Sequence, residues 1–271
     1  MIQMKESNKF GINTTCVHVG EVRDEQFKGA VSPIYTSTSY TFNGVDVKRY
    51  PRYFNTPNQE MLRKKIAALE KTEDALIFGS GMGAISAALF AFLEKGDHVV
   101  VQQVIYGGTY NFIVSEFEKF GIEYSFTESD KAEDFKALIK KNTKVLYIET
   151  PSNPLLGITD MRAISALAKE YKILTMIDNT FASPINQTPV DFGIDIMLHS
   201  ATKYMGGHSD ISAGVIAASR EHIEQIWKTA INLGGNLSDH TVWLLERSLK
   251  TLNLRVKEQT KNAQEMANYL D

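Results

Sequence analysis

The segment that decides the fold runs from residue 173 to residue 203 and reads ILTMIDNTFASPINQTPVDFGIDIMLHSATK. It contains two apolar runs of strand length, and each is followed by polar residues. The first run ends in Asp178, and the second, near Ile196, leads into His199-Ser200-Ala201-Thr202-Lys203. Short apolar runs bounded by polar residues are typical of buried strands. The pattern therefore predicts two strands that carry an aspartate and a lysine at their ends.

Outward from this segment, predicted strands and helices alternate. A Thr56-x-x-Gln59 capping box, with Pro57 at the first helical position, marks the start of one helix. We predict strands at 75–78, 98–102, 123–126, 145–149 and 173–177 and near 196 and 215, and helices ending near 93, 120, 141 and 171. Such alternation predicts the α/β class, a mostly parallel sheet with helices on both faces.

Polar or glycine-rich segments follow several of these strands. In parallel sheets, ligands bind at the carboxyl ends of the strands. The candidate segments are Gly79–Met82, Tyr106, Glu149–Asn153, Asp178 and Lys203. Each segment alone could be an ordinary turn, helix cap or surface position, but their agreement across five loops predicts one common site.

The residue types in these loops suit pyridoxal phosphate (PLP). Lys203 can form a Schiff base with the cofactor, Asp178 can keep a pyridine nitrogen protonated, and the hydroxyls beside Lys203 can reach a phosphate. The glycine-rich turn at residues 79–83 offers free N–H groups to an anion. A dinucleotide loop is the alternative for this turn. Its spacing is G-x-G-x-G, and the next strand ends in Val-Gln-Gln without an acid for a ribose, so a nucleotide-dependent oxidoreductase is the weaker hypothesis.

The composition excludes several other classes. The chain has 271 residues, of which 43% are hydrophobic and 23% charged, with a net charge of −3, and nothing indicates nucleic-acid binding. It has one cysteine, Cys16, and no visible secretory signal or membrane span, so we expect a cytoplasmic protein. No metal site is expected around His199 or His208, since no cysteine or carboxylate cluster has suitable spacing.

Three regions are predicted along the chain. Residues 1–49 are rich in Thr, Ser, Tyr and Gly, and we expect an extended arm that needs another surface. Residues 50–237 form the large domain with the candidate site. Residues 238–271 read as one or two amphipathic helices, which we interpret as the start of a C-terminal domain that is truncated here.

The chain resembles the Cys/Met-metabolism PLP enzymes, which include cystathionine γ-synthase, cystathionine lyases, methionine γ-lyase and O-acetylhomoserine sulfhydrylase. The resemblance rests on motifs in order from residue 14 onward, including Ser80-Gly81-Met82, Tyr106-Gly-Gly-Thr109, Glu149-Thr-Pro-Ser-Asn-Pro154, Asp178-Asn-Thr-Phe-Ala182 and Ser200-Ala-Thr-Lys-Tyr204. It implies the type-I fold of PLP-dependent transferases. It also implies an amino-acid substrate and γ-replacement or γ-elimination at homoserine esters or cystathionine, with β-elimination from cystathionine as the alternative.

The resemblance also assigns roles to residues. Lys203 would be the Schiff-base lysine and proton shuttle, and Tyr106 would stack on the ring and assist proton transfer. Tyr50 and Arg52 would reach the phosphate of a neighbouring subunit, so a homodimer or homotetramer is expected. The complete set implied to bind the cofactor is Gly81, Met82, Tyr106, Asn153, Asp178, Ser200, Thr202, Lys203, Tyr50 and Arg52.

Several positions depart from the family pattern. Gly108 stands where methionine γ-lyases usually have a cysteine, and Asn111 stands where γ-type cystathionine enzymes often have an arginine. Asn111 is more similar to the sulfhydrylases. Family members also extend further, and no arginine here matches the motif that binds the substrate α-carboxylate. We therefore expect PLP binding with weak or absent turnover from these residues alone, and the alternative is a non-catalytic PLP-binding partner of a longer paralogue.

Overall fold

A computed structural model describes residues 10–271. Within them a seven-stranded sheet has the order β1-β7-β6-β5-β4-β2-β3. Six strands run in one direction, and β7 is antiparallel to both of its neighbours, β1 and β6. The mostly parallel sheet is confirmed. The strands are β1 Asp74–Phe78, β2 His98–Val101, β3 Glu123–Phe126, β4 Thr143–Glu149, β5 Leu174–Asp178, β6 Ile196–Ser200 and β7 Gly214–Ala218.

Helices cover both faces of the sheet, as predicted. Their bounds are α1 Ile12–His18, α2 Pro57–Leu69, α3 Gly81–Phe92, α4 Gly107–Phe120, α5 Ala132–Leu138, α6 Met161–Tyr171, α7 Ser183–Asn186, α8 Arg220–Leu233, α9 Asp239–Leu249 and α10 Leu252–Leu270. Alternate strand residues enter two apolar cores. One core packs under α2, α6 and α9, and the other under α3, α4 and α8. In residues 10–271 no helix is both long and apolar enough to cross a lipid bilayer.

Local sequence signals set several helix ends. The Thr56 hydroxyl accepts a hydrogen bond from the Gln59 N–H at 3.2 Å, and the Gln59 side chain accepts one from the Thr56 N–H at 3.1 Å. The predicted capping box is therefore present. Helix α5 was predicted to continue to residue 141 but ends at Leu138. The hydroxyl of Thr143 accepts the Lys140 N–H at 2.8 Å, which draws the backbone into a turn before β4.

The two ends of the chain differ in regularity. Residues 1–9 of the predicted arm lie outside the described residues. From residue 20 to residue 50 the arm has neither helix nor strand, but α1 precedes this stretch and was not predicted. Helix α1 is held by the buried Lys65 ammonium, which donates to the carbonyls of Cys16 and Val17 at 2.9 and 3.0 Å. Residues 238–271 contain the two helices α9 and α10, in agreement with the amphipathic pattern.

Candidate active site

The candidate residues gather at one edge of the sheet because the parallel strands end there. Glu149 and Asp178 are register partners at the ends of β4 and β5. Gly214, the first residue of β7, pairs with Phe78 on one side and Ser200 on the other. The loops that follow β1 and β6 are thereby brought together around Gly214.

Helix α3 begins in close contact with the end of β6. A Cβ atom added to Gly81 would lie 2.8 Å from the Ser200 Cβ, and one added to Gly214 would lie 2.0 Å from the Ser80 carbonyl oxygen. Only glycine permits these approaches. The Ser80 hydroxyl accepts the Gly83 N–H at 3.0 Å. The N–H groups of Gly81 and Met82, in the first turn, have no intrahelical partner and remain available to an anion.

Asp178 ends β5 as a buried carboxylate. It accepts the Thr180 N–H at 3.0 Å, and it forms no ion pair with a lysine or arginine of residues 10–271. Burial raises the pKa of Asp178, although the hydrogen bonds from Thr180 and the charge of His199 act in the opposite direction. A carboxyl in this position is stabilised in its charged form by a cation placed beside it.

Glu149 is a second buried carboxyl, and it joins two loops of the site. Its Oε2 accepts the Tyr106 N–H at 2.7 Å and its Oε1 accepts the Asn153 N–H at 2.8 Å. Burial and the neighbouring Asp178 raise the pKa of Glu149 to about 7. The sequence predicts Glu149 at a strand end, but it does not predict these hydrogen bonds. A lone carboxylate after a buried strand was the available signal.

Tyr106 caps helix α4 with its backbone, and the residue is 44% exposed. The ring lies over Gly108, because a Cβ added there would be 2.4 Å from the Tyr106 Cε1. Gly108 therefore leaves room for the ring in its present position. The half-exposed ring offers one face to a flat ligand.

Lys203 lies exposed in the turn after β6. Its N–H donates to the Ser200 carbonyl at 3.1 Å, and its carbonyl accepts the Gly207 N–H at 2.7 Å. The Thr202 hydroxyl accepts the Ala213 N–H at 3.1 Å and donates to the Ala213 carbonyl at 3.2 Å, so in this structure it is occupied by the backbone. The turn fixes the backbone of Lys203 and leaves its amine free of described partners.

Tyr50 and Arg52 make other contacts within their own chain. The Arg52 guanidinium donates to the Ile231 carbonyl and lies 5.8 Å and 5.7 Å from the ring centres of Tyr50 and Tyr53. Neither Tyr50 nor Arg52 hydrogen-bonds to the strand-end residues among the residues described. The remaining predicted site residues lie at the edge formed by β1, β4, β5 and β6 and in the α4 start beside it.

Sequence reasoning also missed contacts that join the strand ends. The Ser200 N–H donates to the Thr180 hydroxyl at 2.7 Å, which ties the loops after β5 and β6. His199 is buried and bonded to Glu70, as a core histidine would be. In the described part of the chain, no three His, Cys, Asp or Glu side chains are grouped as metal ligands.

The available groups fit PLP. The ring nitrogen needs an anion, and Asp178 is a buried carboxylate without a cationic partner among the described residues. The phosphate needs donors, which the first turn of α3 and the Ser200 hydroxyl supply. The aldehyde needs an amine, and Lys203 lies in the next turn. Each group of the cofactor thus has a chemical counterpart at this edge.

Comparison with known proteins identifies the family. A family model described as Cys/Met metabolism PLP-dependent enzyme matches residues 13–271. The cystathionine β-lyase of Lactococcus lactis subsp. cremoris is 40% identical over 264 residues, 96% of this chain and 69% of the relative. A probable cystathionine γ-synthase of Herpetosiphon aurantiacus is 37% identical, over 96% of this chain and 82% of that protein.

Comparison with a solved structure agrees with this family match. The crystal structure of metB from Corynebacterium glutamicum superposes with a TM-score of 0.94 at 36% identity, covering 98% of this chain and 70% of the other. The family implies PLP as the cofactor and an amino acid as the substrate. The chain belongs to the Cys/Met metabolism PLP-dependent enzyme family.

Proposed function

We propose that the protein is a PLP-dependent enzyme of sulfur amino-acid metabolism that breaks or exchanges a bond at the γ-carbon of cystathionine or a homoserine ester. The observation that carries this proposal is the convergence of Lys203, Asp178 and the start of α3 at one edge of the sheet. Relatives named cystathionine β-lyase, γ-synthase and γ-lyase support the substrate class.

The proposed cofactor contacts use groups at the ends of β5 and β6 and in the first turn of α3. Asp178 holds the pyridine nitrogen, and the Gly81 and Met82 amides with the hydroxyls of Ser200 and Thr202 hold the phosphate. The Thr202 hydroxyl must leave Ala213 to take part. When bound, PLP would supply the electron sink that stabilises the negative charge left on the α-carbon of the substrate.

Lys203 and Tyr106 are the proposed catalytic residues. The Lys203 amine would hold the cofactor, and the same amine would carry the proton removed from the α-carbon of the substrate. The Tyr106 ring stacks on the cofactor and its hydroxyl assists proton transfer. Asn153 contacts the ring hydroxyl from the loop after β4.

Asn111 bears on the choice of substrate. It lies exposed on α4, beyond Tyr106. A neutral amide offers no positive charge to the distal carboxylate of cystathionine, which favours a substrate whose γ-substituent is uncharged, such as the acetyl ester of O-acetylhomoserine. The β-lyase function is the second candidate, because cystathionine β-lyases are among the relatives with 40% identity.

The proposed assembly is a homodimer or homotetramer. In it, the arm of residues 1–49 lies against a second copy, and Tyr50 and Arg52 complete the phosphate site of that copy. Exposed apolar side chains in the arm support this proposal, among them Phe27, Val31, Phe42 and Val47. Residues 50–237 form the cofactor domain, and residues 238–271 form a separate C-terminal region. A cytoplasmic location, inferred from the single cysteine, is part of the same proposal.

The test is an absorption titration with product analysis. The purified protein is given PLP, then L-cystathionine, and in a separate sample O-acetylhomoserine with a thiol. We expect a visible band of lysine-bound PLP that changes with substrate. Formation of 2-oxobutyrate or a thioether product indicates γ chemistry, whereas pyruvate and homocysteine from cystathionine indicate β-elimination.

Lys203→Ala is the decisive variant and Lys144→Ala, at an exposed position of β4, is its matched control. We expect Lys203→Ala to lose the band and Lys144→Ala to keep it. A band that survives in Lys203→Ala would reject the lysine assignment, and a wild-type protein that never takes up PLP would reject the proposed function.

A further inference from the structure

Glu149 connects two loops that approach the cofactor position from different strands. Tyr106 follows β2 and starts α4, whereas Asn153 follows β4. One carboxylate oxygen accepts the Tyr106 N–H at 2.7 Å and the other accepts the Asn153 N–H at 2.8 Å. Hydrogen bonds from N–H groups to a carboxylate are stronger than those to a neutral oxygen. The side chain therefore fixes the spacing between the two loops.

The backbone of Glu149 is itself fixed by Gln102. The Gln102 side-chain oxygen accepts the Glu149 N–H at 3.0 Å, and its amide nitrogen donates to the Glu149 carbonyl at 2.9 Å. The Thr159 hydroxyl donates to the same Gln102 oxygen at 3.0 Å. This link between the ends of β2 and β4 is fully buried. The backbone of Glu149 is therefore held in a fixed position.

The surroundings of Glu149 argue against direct contact with a substrate. The residue is 4% exposed, and each oxygen already accepts a backbone N–H. It makes no ion pair with a lysine, arginine or histidine of residues 10–271. A buried carboxylate that only accepts hydrogen bonds from two loops acts through those loops.

We propose that Glu149 is a positioning residue of the cofactor site, which sets the Tyr106 ring and the Asn153 side chain in register with each other. The inference rests on the proposed function, because the two loops matter to catalysis only if PLP lies between them. Asp178, its register partner on β5, places the proposed pyridine contact beside the same carboxylate.

The test uses Glu149→Gln, which keeps the volume but turns one acceptor oxygen into an NH2 group. One of the two loops then loses its acceptor. We expect PLP to bind about tenfold more weakly, as the loss of one charge-assisted hydrogen bond would give. We also expect a changed visible circular dichroism of bound PLP and, in the PLP-free protein, faster amide exchange in the segments containing Tyr106 and Asn153.

Two further variants make the result specific. Glu149→Asp keeps the charge and should retain more of the amide protection than Glu149→Gln. Glu123→Gln removes an exposed carboxylate, paired with Lys140 at 3.0 Å, from the start of β3 and should change none of the three measurements.

The outcomes separate this inference from the proposed function. Uptake of PLP by the wild type, with unchanged affinity, dichroism and amide exchange in Glu149→Gln, would overturn the inference and leave the proposed function intact. A wild type that binds no PLP would overturn the function. If Glu149→Gln fails to fold, Glu149→Asp decides by the same three measurements, since wild-type values in that shorter side chain would contradict the need for both contacts.

Discussion

The charge of the candidate site depends on two carboxyl residues, Asp178 and Glu149, at the ends of neighbouring strands. Burial raises the pKa of both, and the charge of Asp178 also raises the pKa of Glu149. A protonated ring nitrogen next to Asp178 would favour the charged form of both groups. The PLP-free protein is therefore the state in which their protonation affects stability most.

We predict that the stability of the PLP-free protein falls with rising pH partly because of Glu149. The unfolded chain releases this proton near pH 4.5 and the folded chain near pH 7, so the contribution is fully present below pH 4.5 and is lost as pH rises through about 7. A shift of this size corresponds to about 3 kcal/mol. Denaturant unfolding at about pH 5 and about pH 8 should therefore show a smaller pH dependence for Glu149→Gln than for wild type.

Because Glu149→Gln also weakens two loop contacts, the comparison concerns the change between the two pH values and not the absolute stability. Equal pH dependence in wild type and variant would show that Glu149 keeps an ordinary pKa in the folded protein.

A second prediction at this scale concerns Gly108. A Cβ at this position would lie 2.4 Å from the Tyr106 ring, so Gly108→Ala should turn the ring away and weaken PLP binding severalfold. The adjacent Gly107 has no atom within 4 Å of an added Cβ, and Gly107→Ala is the matched control. Equilibrium titration with PLP measures the affinity of both variants. Equal affinities in the two variants would contradict the stacking role of Tyr106.

The sequence identified residues whose signal is local. Asp178 and Lys203 each follow an apolar run of strand length, which is enough to place them at the edge of a sheet. The Glu149 contacts could not be predicted in this way, because Tyr106 lies 43 positions away and is reached only through the register of β2 and β4. The engagement of Thr202 with Ala213 depends in the same way on the pairing of β6 with β7.

The start of α3 is the element on which the proposed phosphate binding depends. Gly81 is its first residue and lies against Ser200, so Gly81→Ala must push α3 away from β6. We predict a loss of PLP affinity of about tenfold or more, since the free N–H groups would move from the phosphate. The control is Gly107→Ala, which also lies at the first position of a helix and should bind PLP with wild-type affinity. Unchanged affinity in Gly81→Ala would place the phosphate elsewhere.

Elements were predictable where capping or periodicity was strong. The Thr56 capping box and the glycine end of α4, where Gly121 has φ 67°, follow from residue type. The early end of α5 depends on one Thr143 hydroxyl, and the antiparallel direction of β7 depends on pairing with β1 and β6. The periodicity of a single segment indicates neither a side-chain contact that ends a helix nor the direction in which a strand pairs.

At the scale of the whole molecule, we propose that a second copy supplies one part of the site. If Arg52 serves the site of the neighbouring copy, a mixed assembly of Arg52→Ala and Lys203→Ala chains contains one intact site per pair. We predict that co-expressed, doubly tagged assemblies recover PLP binding that each variant alone has lost. Mass-resolved chromatography checks the assembly, and PLP per chain measures recovery.

PLP binding would not be recovered if Arg52 served its own chain, because no site would then contain both an intact Lys203 and an intact Arg52. At this scale the alternating pattern predicted the layers of the fold. It could not show which chain Arg52 serves, because that depends on contacts between copies that the sequence of one chain does not specify.

The most direct measurement is chemical trapping of the cofactor. The wild-type protein is mixed with PLP, reduced with borohydride, digested and analysed by peptide mass spectrometry. We predict that the pyridoxyl group is found on the peptide containing Lys203, and that it is absent from that position in Lys203→Ala. A pyridoxyl group on another lysine, or none at all, would contradict the assignment of this site.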